Sequence, residues 1–136
     1  MNNVLHHRLL LVFIFLTVAC GDESCNVIPN VSVNQSFSQG STNAGLGIGQ
    51  SMALAGGVRG IIVYHSSSTG LVAYDRCSTV NPEERNQVVI KNAFTLHDPV
   101  SNAEWLMEDG SPTKIATCPL KPYRVSTKGN IYYVQN

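Results

Sequence analysis

Short runs of β-branched and aromatic residues, cut by turn signals about every ten residues, constrain this chain more than any other feature. Ile61-Ile62-Val63-Tyr64-His65 is such a run, introduced by the turn Gly56-Gly57-Val58-Arg59-Gly60. A polar turn from Ser66 to Gly70 separates it from Leu71-Val72-Ala73-Tyr74, which reads as the second arm of a hairpin. Val88-Val89-Ile90, Phe94-Thr95-Leu96, Trp105-Leu106-Met107, Ile115-Ala116-Thr117 and Tyr123-Arg124-Val125 continue the series. Lys128-Gly129-Asn130 then turns the chain into Ile131-Tyr132-Tyr133-Val134. Beyond the leader, no stretch long enough for a globular helix repeats apolar residues at helical spacing. Six Pro and eleven Gly fall mostly between the runs. The expected fold is all-β, a small antiparallel sandwich or barrel.

Charge and length exclude several functions. Nine Lys+Arg offset nine Asp+Glu, and 43% of the residues are hydrophobic. A disordered tail needs low hydrophobicity with high net charge, and a nucleic-acid binder needs a basic excess to neutralise phosphates. Neither description fits, so no nucleic-acid partner is expected. At 136 residues the chain suits one domain and is too short for a (β/α)₈ barrel of about 250.

The N-terminus reads as a secretion leader over residues 1–19. His6, His7 and Arg8 precede an apolar run from Leu9 to Leu16, and small residues carry the chain to Ala19 and Cys20. The run is too short for a permanent span, which takes about 20 apolar residues. Leu16-Thr17-Val18-Ala19-Cys20 resembles the lipobox of bacterial lipoproteins, with Thr17 where a leucine is usual. The resemblance implies cleavage before Cys20 and its acylation, and two or more acyl chains suffice for stable anchoring. The alternative is an ordinary leader with Cys20 left as a thiol. The expected location is the bacterial cell envelope, with the outer membrane as the expected site. Without the leader, eight basic face nine acidic side chains, a formal charge of −1, so the lipid rather than a basic patch would hold the body to its membrane.

Residues 20–51 read as a tether. They are rich in Asn, Ser, Gly and Gln, and the stretch from Gly40 to Gly49 has few bulky side chains to offset the entropy of ordering. The alternation in Val27-Ile28-Pro29-Asn30-Val31-Ser32-Val33 allows one edge strand. Asn30-Val31-Ser32 and Asn34-Gln35-Ser36 match the glycosylation triplet, a chance match in a bacterial envelope protein. The body is expected over residues 52–136.

Five segments of that body together resemble a Rieske-type iron-sulfur domain, specifically its small lipoprotein variants. They are Gly56 to Tyr64, Ala73-Tyr74-Asp75-Arg76-Cys77, Asp98 to Trp105, Glu108-Asp109-Gly110-Ser111-Pro112 and Pro119-Leu120-Lys121-Pro122-Tyr123, in the family's order over about 80 residues. Rieske domains hold a [2Fe-2S] cluster through Cys-x-His and Cys-x-x-His loops, two Cys on one iron and two His on the other. Laid onto this chain, Cys77 keeps its place, Thr79 stands for the first histidine, Asp98 for the second cysteine and Ser101 for the second histidine. Asn102-Ala103 replace Gly-Ser ahead of the aromatic Trp105, and Lys114-Ile115-Ala116 keeps only part of the family's Gly-Pro-Ala segment.

With three of four ligand positions substituted, the expectation is a Rieske-like scaffold without a cluster, hence no cofactor and no enzymatic activity. Its role would be that of a structural or interaction module, meeting an unidentified envelope protein. The alternative is an electron-transfer protein that still binds a [2Fe-2S] cluster. His97, Asp98 and Cys77 could instead form a mononuclear site, against the plainer reading of His65 on a strand edge and His97 bonded within a loop. Cys25, Cys77 and Cys118 remain after acylation. By analogy with the family's loops, Cys77 and Cys118 could pair, leaving Cys25 as the free thiol, or both could be small buried hydrophobes. A Cys77–Cys118 pair would admit a thiol-exchange role, which no Cys-x-x-Cys supports. Glu83, Glu84, Glu104, Glu108 and Asp109 fall in expected turns and read as solvated surface, and Trp105 is expected to pack beneath the second loop.

Overall fold

A computed structural model describes residues 24–38 and 46–136. The leader and Cys20 lie outside the described residues. Among the described residues, ten strands form two antiparallel sheets, as the spacing of runs and turns implies. The larger sheet contains β1 (Asn34–Ser38), β2 (Ser51–Leu54), β3 (Ile61–Ser66), β4 (Gly70–Asp75), β9 (Pro122–Lys128) and β10 (Ile131–Gln135) in the order β1-β10-β9-β4-β3-β2. The smaller contains β5 (Val89–Ile90), β6 (Thr95–His97), β7 (Glu104–Leu106) and β8 (Pro112–Lys114) in sequence order. The one helical element among the described residues is a 3₁₀ turn, Pro82–Glu84.

Alternation along β3 and β4 explains how one run of apolar residues serves two cores. Successive strand residues face opposite ways. Ile61, Val63 and Ala73 therefore join Val33, Phe37, Tyr123 and Val134 on one side of the larger sheet. Ile62, Tyr64 and Tyr74 join Leu96, Trp105, Met107 and Leu120 on the other, where the smaller sheet packs. All four residues from Ile61 to Tyr64 are buried, as a strand covered on both faces requires. The expected β3–β4 hairpin is present, with each strand running one residue further into the turn than expected, so that Ser66 pairs with Gly70, and with β4 ending at Asp75, which pairs with Ile61.

Three segments differ from the sequence reading. Val27 to Val33 is not a strand; the edge strand is the next five residues, Asn34–Ser38, in register with Gln135 to Ile131. Ile28 and Val33 are buried, so the described part of the expected tether from Cys25 to Ser38 packs against the body. The strand expected at Ile115 to Thr117 sits earlier, at Pro112–Lys114, because Ile115 takes a left-handed φ of 63° that ends extended pairing. Two glycines are required by close approach. At Gly57, φ is 62° and an added Cβ would lie 2.4 Å from Asp75 Oδ2; at Gly110, φ is 72° and it would lie 2.8 Å from the Tyr74 ring.

Candidate functional site

The first loop leaves β4 at Asp75. Cys77 is fully buried, bridges to Gln87 across the loop and donates its N–H to Asp75 Oδ1 at 2.8 Å. Burial pushes the Cys77 thiol up, and the Asp75 charge adds to the rise, so the neutral thiol is the resting form. Two residues on, Thr79 donates its hydroxyl to the Cys118 carbonyl at 2.9 Å.

The second loop, from Asp98 to Ala103, is folded around its own first residue. Asp98 is fully buried. Its Oδ1 accepts the Val100 N–H at 2.8 Å and its Oδ2 the Ser101 hydroxyl at 2.7 Å, and Ser78 of the first loop donates to it as well. Burial by itself raises the pKa of this carboxyl, but the donors from Ser101, Val100 and Ser78 outweigh it and hold the group below the usual carboxylate range. The backbone closes the same loop, with Asn102 N–H on Asp98 O and Asp98 N–H on Ala103 O.

A third segment joins these two. Trp105 is fully buried, as expected, and its Nε1 donates to the Cys118 carbonyl at 3.0 Å. One carbonyl thus receives Thr79 from the first loop and Trp105 from the strand after the second. The structure therefore brings Cys77, Thr79, Asp98 and Ser101 into one neighbourhood, linked through Ser78, Asp98 and Cys118.

The disulfide expectation needs correction. Cys118 is bonded to Cys25, with Cα atoms 5.3 Å apart and a sequence separation of 93, while Cys77 is the free, buried thiol among the described residues. The N-terminal segment reaches Cys118 because it packs along the body. Lys121 Nζ holds it there, donating to the carbonyls of Ile28 and Pro29 and to Asn30 Oδ1.

The histidines do not join the loops' donors. His65 Nδ1 pairs with the Leu46 carbonyl at 2.7 Å. His97 Nδ1 is buried without a hydrogen-bond partner, so the plainer reading of a loop-bonded His97 does not hold for that atom. No three His, Cys, Asp or Glu side chains among the described residues stand close enough to share a metal ion, so Cys77, His97 and Asp98 form no such group.

Three carboxylates carry roles that the sequence reading missed. Asp75 is fully buried and accepts from Val58 N–H (2.6 Å), Arg59 N–H (3.2 Å), Cys77 N–H (2.8 Å) and the Tyr123 hydroxyl (2.6 Å). An acidic residue ending an apolar strand, opposite a glycine turn rich in free N–H groups, was the available signal. Glu108 Oε1 accepts from the hydroxyls of Ser66, Ser67 and Ser68 and from Ser68 N–H, and these bonds, led by Ser66, hold its carboxyl down at about 2. It is not simply solvated surface. Glu104 likewise pairs with Lys91 at 2.7 Å and Lys114 at 3.4 Å.

No protein-family model matches this chain, and no curated protein matches it. Solved structures with a similar chain trace include a small subunit assigned to NADH-dependent nitrite reductase from Mycobacterium tuberculosis, 11% identical, covering 79% of this chain and 97% of that one at a TM-score of 0.48. The ferredoxin of carbazole 1,9a-dioxygenase from Nocardioides aromaticivorans IC177 is 17% identical, covering 76% and 94%, also at 0.48. A second protein assigned as a nitrite reductase small subunit, NADPH type, is 13% identical, covering 77% and 98% at 0.46.

Proposed function

We propose that this chain is an envelope lipoprotein whose body is a Rieske-like scaffold without a conventional iron-sulfur cluster, serving as a structural or interaction module rather than an enzyme. The observation that carries the reading is the closed hydrogen-bond network at the ligand-equivalent positions. Asp98 spends its lone pairs on Val100, Ser101 and Ser78, and Thr79 spends its hydroxyl on Cys118.

The donor set does not fit a [2Fe-2S] cluster. Such a centre takes four thiolate or imidazole ligands, and these positions offer one thiol, one carboxylate and two neutral hydroxyls. Cys77 would also have to lose a proton that burial and Asp75 hold in place. The loops, freed from binding iron, are then available as a surface for the module's partner.

Iron and acid-labile sulfide assays on anaerobically purified protein test this. The expected content is far below one iron per chain. About two irons and two sulfides per chain would overturn the reading in favour of electron transfer.

A further inference from the structure

We propose that the end of the domain formed by the two ligand-equivalent loops rests on the membrane that holds the acyl anchor, with Val100 and Ile115 as its apolar contacts. This names the partner of the loops, and it rests on the reading of Cys20 as acylated.

The first step is chain reach. Four residues lie between Cys20 and Cys25, and the five steps from one to the other span at most about 17 Å at full extension. Cys25 is covalently joined to Cys118 across a 5.3 Å Cα separation. Lys121 pins the segment after Cys25 by the carbonyls of Ile28 and Pro29, so that segment is held to the same stretch of the body. The lipid anchor therefore lies within about 17 Å of Cys25, on a tether that starts beside Cys118.

The second step is what surrounds Cys118. Its carbonyl is the point to which Thr79 and Trp105 both bond, and Ser78 ties the first loop to Asp98 of the second. The anchor thus leaves the protein beside the loops. Val100 of the second loop is 65% exposed, and Ile115, just after β8 and three residues before Cys118, is 57% exposed. Ile115 is β-branched yet held at a φ of 63°, a conformation that is strained for such a residue and needs surrounding structure to fix it. Three polar side chains of these loops, Asp98, Ser101 and Thr79, are engaged by internal partners, while Asn102 and Lys114 stay exposed at the rim. A surface brought near by a covalent anchor is at high effective concentration, so two side chains suffice to set orientation.

The test uses the full acylated protein in vesicles of phosphatidylethanolamine and phosphatidylglycerol carrying brominated acyl chains. Tryptophan fluorescence of V100W and I115W is compared with F94W, a position 71% exposed that lines a hollow with Ile48, Tyr64 and Leu106. Quenching at V100W and I115W, with F94W and the buried Trp105 unaffected, is the expected result. Adding C25S should lower that quenching about twofold or more by releasing the loops from the anchor. Amide hydrogen exchange of the unsubstituted protein in the same vesicles should show slowed exchange in the Val100 and Ile115 loops, which covers the case of a variant that does not fold. Mass measurement of the N-terminal peptide separates the failures. An acylated Cys20 with neither quenching nor slowed exchange at these loops overturns the orientation alone, as does quenching at F94W instead or quenching that C25S leaves intact. An unmodified Cys20 overturns the anchoring and this proposal with it.

Discussion

Asp75 and Asp98 are both fully buried, yet they gather their hydrogen-bond donors over different lengths of chain. Asp75 reaches back to Val58 and Arg59 and forward to Tyr123, which stands 48 residues away. It fastens the glycine turn before β3, the end of β4 and the start of β9 to one another. Asp98 takes Val100 and Ser101 from its own loop and adds only Ser78 from the neighbouring one. The first carboxylate holds the larger sheet together. The second closes a loop largely on itself.

This difference is broken or sharpened by four measurements. D75A should have the largest effect, about 4 kcal/mol of unfolding free energy, because it strands three backbone N–H groups and the Tyr123 hydroxyl in the interior. Denaturant unfolding checks it, and Y123F should cost about 1 kcal/mol by the same method. Next comes C25S, expected to cost about 3 kcal/mol because the Cys25–Cys118 link closes a loop of 93 residues. D98A should cost less, about 2 kcal/mol, and its increased amide exchange should be confined to residues 98–103 and the first loop. If D98A unfolded the protein as D75A does, the contrast between a sheet fastener and a loop plug would be lost.

The smallest effect is in acid. Glu108 has a folded pKa of about 2 against an ordinary value of 4.5, so its contribution to stability is complete above pH 4.5 and is lost as pH falls toward 2. Asp98 has the same sign, its depressed carboxyl losing its contribution on the acid side of the ordinary carboxylate range. Thermal unfolding of E108Q between pH 5 and pH 2 should show a shallower acid decline than the unsubstituted protein. At the alkaline end the sign reverses. Burial, aided by Asp75, pushes the Tyr123 phenol up from 10, so stability present below pH 10 is lost as pH rises beyond it.

Much of the larger sheet was legible in the sequence because its strands carry their own pattern. Ile61 to Tyr64 announces a strand buried on both faces, and the turn at Gly129 fixes the β9–β10 hairpin. Asn34 to Ser38 announces nothing, since only Phe37 among five residues is bulky and the strand exists through its pairing with β10. The Cys25–Cys118 bond was hidden for a related reason, because it depends on where a weakly patterned segment lies against the body. In the candidate site, the sequence resemblance singled out Thr79, Asp98 and Ser101, whereas their hydrogen bonds could not be read from it. Hydroxyls and carboxylates take partners according to tertiary placement, and the acceptor that unites the loops is the backbone carbonyl of Cys118, which no side-chain motif reveals.

On the function we propose, internal hydrogen bonds stand at these loops in the place of iron. Electron paramagnetic resonance of intact cells producing the unsubstituted protein, reduced and frozen before any purification, tests it without loss of a labile centre. The account predicts a spectrum no different from cells lacking the protein, and a rhombic signal rising in proportion to the protein would contradict it.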